Sequence, residues 1–123
     1  MNLESFFETS TPQDLGQFLT QSKQELKAKV QSKIRQRRSQ MLVHSYIYYV
    51  LDDNIVSDDK WQQWANELRD IQKEYPEYCK INFFDREFST WNGDSGAFLP
   101  LKDPYVIRKA NYIYNLVKNE ENK

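Results

Sequence analysis

From Lys23 to about Leu51 neither glycine nor proline interrupts the chain. Leu26, Val30, Ile34, Met41 and Tyr48 recur there at helical spacing, so the stretch reads as one long helix with an apolar face. Only 3 Gly and 4 Pro occur in 123 residues, too few turn formers for a many-stranded sheet. The expected fold is mainly α. A long helix and an antiparallel partner form a helical hairpin, followed by a structured aromatic and glycine loop and a C-terminal helix.

Smaller signals place the other elements. Residues 1–10 read as loosely ordered. Thr11 reads as an N-cap, with Pro12 at the first helical position and Asp14 suited to the helix dipole. Leu15, Phe18 and Leu19 predict a short amphipathic helix over 12–21. Ser22 and Glu25 spell a capping box, which would restart the helix in a new direction. Asp52-Asp53-Asn54 ends the long helix. Ser57 caps the next, with Asp58 and Asp59 in its first turn. Trp61, Trp64, Ala65, Leu68, Ile71 and Tyr75 mark its apolar stripe, which stops at Pro76.

Residues 77–102 change character. Ile81-Asn82-Phe83-Phe84 reads as a short strand or a buried loop. The stretch 88–101 holds Gly93, Gly96 and Pro100 and reads as a shaped loop anchored by aromatics. Asp103 before Pro104 starts a final helix running to about residue 118, with 119–123 as a frayed tail. Residues 1–123 form one domain. Tyr48, Trp61, Trp64 and Trp91 are expected to be substantially buried, because aromatics at 15% must supply much of the core.

The hairpin stretch HSYIYYVLDDNIVSDDKWQQWANELRDIQKEYPE, residues 44–77, resembles the N-terminal helical segment (domain Ia) of NAD-dependent bacterial DNA ligases. Tyr46, Tyr48, Tyr49, Asp52, Val56, Asp58, Trp61, Glu67, Leu68 and Tyr75-Pro76-Glu77 fall in register with that family's pattern. The chain looks most like short phage-borne proteins related to the same segment. The resemblance implies contacts to the nicotinamide mononucleotide (NMN) half of NAD from Tyr48, Tyr49, Asp58, Trp61 and Gln62. Aromatic faces suit a nicotinamide ring, and carboxylates suit ribose hydroxyls or a cationic pyridinium. The chain departs from the pattern at four places. Trp61-Gln62 stands for Tyr-Asp, Asn54 for a proline and Lys60 for a glutamate. The bland alternative is that these tyrosines only pack a core or rim.

The K-x-D-G adenylation motif, the zinc-binding cysteines and the helix-hairpin-helix array of a ligase do not occur in this sequence. Ligation by this chain alone is therefore excluded, and no catalytic residue is assigned. Gly93-Asp94-Ser95-Gly96 spells a serine-protease nucleophile motif, but His44 is the only histidine and lies inside a predicted helix. Neither His44 with Cys79 nor the aspartate pairs fit a metal site, so no metal is expected.

Lys23–Arg38 carries seven cations against Glu25. Such a stripe suits phosphates or an acidic protein surface, although a net charge of -1 also fits a solvated face. Lys33, Arg35, Arg37, Arg38, Trp91, Asp94, Ser95 and Phe98 are the candidate partner contacts. A single cysteine and the lack of a long apolar run point to a cytoplasmic chain without a membrane partner. The leading expectation is a non-catalytic, phage-type module that binds a host protein or complex, for example an inhibitor of a defence or replication machine. The alternatives are an NAD- or NMN-binding module and a nucleic-acid accessory protein using Lys23–Arg38.

Overall fold

The computed structural model describes residues 12–122, with side chains from residue 16 onward. The expected loose start and the Thr11 cap lie outside those residues. Helix α1 spans Pro12–Tyr49, α2 spans Asp58–Glu74 and α3 spans Pro104–Glu121. A 3-10 turn, Pro76–Tyr78, follows α2. Among the described residues there is no strand.

Helix α1 is continuous through Ser22, so the expected break is absent. The residues flanking Ser22 are good helix formers, and residues 21–29 are exposed. Its first half is mostly bare. Leu19 is 55% exposed and Leu26 42%, so the sticky face begins only at Val30. The second half is wrapped, because α1 packs against both α2 and α3. Val30, Ile34, Met41, Leu42, Val43, Tyr46 and Ile47 are buried there. Asp52, in the left-handed region at φ 53, then turns the chain.

Helix α2 begins where expected: the Ser57 hydroxyl accepts from the Lys60 N–H at 3.1 Å. Ala65 and Leu68 lie at its buried centre. Helix α3 begins at Asp103, whose carboxylate accepts from the Tyr105 N–H at 2.8 Å. It continues through Glu121, beyond the expected end at about 118. Lys118 supports that last turn by pairing with Glu121 at 3.2 Å and with Asp53 at 3.0 Å.

The segment Ile81–Phe84 is not a strand. Asn82 at φ 56 and Phe84 at φ 54 are left-handed, which extended pairing does not permit. Asp85 holds the bend by accepting from the backbone N–H groups of Ile81, Asn82 and Phe83. Beneath it lies Arg38, 1% exposed, donating to Asp85, to the Phe83 and Cys79 carbonyls and to Gln72. Burial works to raise the Asp85 carboxyl, and those backbone and Arg38 bonds outweigh it, so Asp85 sits below the usual range. Phe83, Phe88, Trp91 and Leu99 bury the rest of the loop against the hairpin.

Candidate functional site

The C-terminal turns of α1, the start of α2 and the loop at 94–96 enclose a cavity of about 300 Å³. Positions 44, 45, 48 and 49 recur on one side of α1, so His44, Ser45, Tyr48 and Tyr49 form one wall. The turn adds Asn54, Ile55 and Val56. Helix α2 adds Asp58, Trp61 and Gln62, one turn apart in sequence. Asp94, Ser95 and Gly96 close the far side.

The cavity explains why Tyr48 is not core, contrary to expectation. It is 55% exposed and meets Tyr49 edge to face at 4.9 Å. Trp61 and Trp64 are half-buried, and only Trp91 is as buried as expected. The Tyr49 hydroxyl shares a 3.2 Å hydrogen bond with Ser95 Oγ, which ties the α1 wall to the loop.

Two buried polar atoms at this wall, His44 Nδ1 and Ser45 Oγ, have no hydrogen-bond partner among the described residues. Native interiors leave few such atoms unpaired. Burial lowers the His44 imidazole to about pKa 4, so it is neutral at physiological pH. Its ring lies 5.4 Å from Trp64. Sequence reasoning weighed His44 only as a protease base or a metal ligand and missed Ser45. The signal available was their one-turn offset from Tyr48 and Tyr49.

The loop is fitted closely to the hairpin. Trp91 Nε1 donates to the Ala65 carbonyl at 3.0 Å, and Gln62 Nε2 donates to the Gly93 carbonyl at 2.9 Å. Gly93 sits at φ 84, which favours glycine. A Cβ on Gly96 would overlap Ser45 Oγ and lie 2.8 Å from Ser45 Cβ, so only glycine allows this approach.

The five expected nucleotide contacts, Tyr48, Tyr49, Asp58, Trp61 and Gln62, all line this one cavity. Asp94 and Ser95, expected as partner contacts, line it too. The other partner candidates disperse. Arg38 is internal and Trp91 is buried. Arg37 is largely covered and pairs with Glu67 at 2.7 Å. Burial works to raise Glu67, but hydrogen bonds from Arg37 and Gln63 hold it below its ordinary value. Arg35 lies over the Phe83 ring at 4.1 Å. The basic stripe is thus interrupted at its C-terminal end, because three of its arginines serve the protein's own packing. Lys33 is exposed, as is Phe98 at 57%. No group of His, Cys, Asp and Glu among the described residues is arranged to hold a metal.

Comparison with known proteins covers the same segment. Residues 27–82 match the family model described as "DNA ligase-like, N-terminal NAD+-binding domain". The ligase-like segment therefore takes in the whole of α1's buried half, the turn and all of α2. DNA ligase of Syntrophomonas wolfei is 39% identical over 49 residues, 40% of this chain and 7% of that protein. DNA ligase of Bacteroides fragilis is 43% identical over 53 residues, 43% of this chain and 8% of the ligase. The chain thus spans under a tenth of the length of these relatives. No solved structure matches it significantly. Asp94, Ser95 and Gly96 lie outside the ligase-like segment and complete a cavity whose other walls come from within it.

The nicotinamide and ribose of a nicotinamide nucleotide suit these residues chemically, whereas no lysine or arginine among the described lining residues meets its phosphate. The cavity stands at the lower end of the ~300–1,000 Å³ range of small-molecule clefts, a size for half a dinucleotide rather than all of it. Aromatic side chains line it, and Asn54, Asp58 and Gln62 supply polar groups for a carboxamide or for ribose hydroxyls.

Proposed function

We propose that the chain is a non-catalytic module that binds the nicotinamide mononucleotide half of NAD, or NMN itself, in the cavity between α1, α2 and the 94–96 loop. The observation that carries this reading is convergence. Five residues implied by the ligase resemblance line one cavity, and two buried polar atoms there lack partners. Tyr48, Tyr49 and Trp61 would hold the ring, and Asp58 the ribose or the ring's charge.

Titration of the full chain with NMN and with NAD, followed by amide shifts and calorimetry, tests the reading. Saturable binding that is lost in Tyr48→Ala, an exposed position tolerant of truncation, supports it. Unchanged shifts at millimolar ligand overturn it.

A second reading is a phage-type module that docks on a host protein. It rests on exposed apolar side chains outside the cavity, chiefly Phe98 at 57% and Tyr112 at 66% exposure. Specific host-protein capture that survives Tyr48→Ala and is lost in Phe98→Ala would favour it.

A further inference from the structure

A second cavity, of about 240 Å³, lies between α1 and α3. Among the described residues it shares only His44 with the first. Gln36, Ser39, Gln40 and Val43 lie three or four residues apart on α1 and so form one face. Lys109 and Ile113, one turn apart on α3, stand across from them, outside the ligase-like segment. The two cavities differ in charge. Asp58 and Asp94 line the first, with no lysine or arginine among its described residues. Lys109 lines the second, with no aspartate or glutamate.

The polar groups of the second cavity are left as donors. Lys109 Nζ donates to the Tyr105 hydroxyl at 3.0 Å and forms no ion pair among the described residues. Its charge is therefore unneutralised, with N–H bonds to spare. The Tyr105 hydroxyl lies 3.5 Å from Ser39 Oγ. Having accepted from Lys109, it can donate its own proton to Ser39, which frees the buried Ser39 hydroxyl to donate in turn. Gln40 Oε1 accepts from Arg37 Nη1 at 2.7 Å, and Gln36 Oε1 from Lys33 Nζ at 3.4 Å. Cations thus hold both amide oxygens, and both amide NH2 groups remain without an acceptor among the described residues.

We propose that this second cavity binds a small oxyanion of the phosphate class, held by Lys109, Ser39 and the amides of Gln36 and Gln40. Four donor side chains on two helices suit oxygens spread over a tetrahedron better than the two coplanar oxygens of a carboxylate. The volume falls below the ~300–1,000 Å³ range of small-molecule clefts, which suits an ion. The proposal does not rest on the nicotinamide reading.

Titration of the full chain with inorganic phosphate tests it, at neutral pH and at constant ionic strength held with chloride. His44 is the only histidine, so its ring resonances report on the cavity, together with the backbone amides of residues 36–44 and 109–113. These signals should shift saturably at millimolar phosphate. Lys109→Gln should weaken binding by about fivefold, the weight of one partly solvated charge. Gln36→Ala, at an exposed position, should weaken it by about twofold. Arg108→Gln removes the same charge one residue along α3, outside the cavity, and should leave binding unchanged. No saturable shift, acetate binding as tightly as phosphate, or equal weakening by Lys109→Gln and Arg108→Gln each overturns the proposal.

Discussion

Gln62 reaches from the second turn of α2 to the Gly93 carbonyl, donating at 2.9 Å. The same amide donates to Asn66 Oδ1 at 2.9 Å, which orients it. A side chain that the resemblance implies as a nucleotide contact thus also fastens the loop that closes the cavity. An aspartate, which the ligase pattern carries here, is only an acceptor when ionised and could not make this bond. Gln62→Ala should cost about 1 kcal/mol in urea unfolding, the worth of one net hydrogen bond. Amide exchange should quicken at Gly93 to Gly96 and stay unchanged in the buried turns of α1.

Gly96 is the closest approach of loop to hairpin. Gly96→Ala places a methyl against Ser45 Oγ and Cβ, on a buried side chain of α1. The variant should lose about 1–3 kcal/mol of stability, the range for overpacking. It should also bind NMN more weakly, because Asp94 and Ser95 move with it. Combining it with Ser45→Ala should recover part of the stability, measured by thermal unfolding.

Arg38 separates structure from surface in the basic stripe. It is buried and donates to four groups, so removing it strands Asp85 and two carbonyls. Arg38→Met should cost about 3–5 kcal/mol in chemical unfolding, as for a broken buried pair. Lys33→Ala, on the exposed face of the same helix, should stay within about 0.5 kcal/mol of the parent. Equal small effects at both positions would refute the internal role of Arg38.

The His44 imidazole gives stability a pH dependence of known sign. Its value falls from 6.5 to about 4 on folding because burial disfavours the charged ring. The unfolded chain therefore takes up a proton that the folded chain refuses. Its contribution is complete above about pH 6.5 and is lost as pH falls toward 4, on the order of 3 kcal/mol in all. Urea unfolding of the parent and of His44→Gln should differ in pH slope across that window. Parallel slopes would show that His44 titrates normally.

The helices were legible because their causes are local. Ser57 before two aspartates, Asp103 before Pro104 and the 58–75 stripe each act within a turn or two, and all three held. Ser22-x-x-Glu25 carried a local signal as well, but a capping box restarts a helix only where the chain has cause to turn. The Ile81–Phe84 segment was ambiguous for a different reason. Its left-handed residues answer to Asp85 and to Arg38, and Arg38 lies more than 40 residues away in sequence.

The candidate site divides the same way. The ligase resemblance implied which hairpin residues could face a nicotinamide nucleotide, Tyr48, Tyr49, Asp58, Trp61 and Gln62, and helical phase on two neighbouring helices brings all five to one cavity. The sequence did not reveal that Arg37 and Arg38 turn inward, nor that Tyr48 stays exposed, because burial depends on what packs opposite. Only the tertiary structure decided that Asp94, Ser95 and Gly96 meet His44 and Ser45. That meeting depends on Trp91 bonding Ala65 and on the absence of a side chain at Gly96. Such contacts are set by shape between segments distant along the chain, and no local pattern of residues records them.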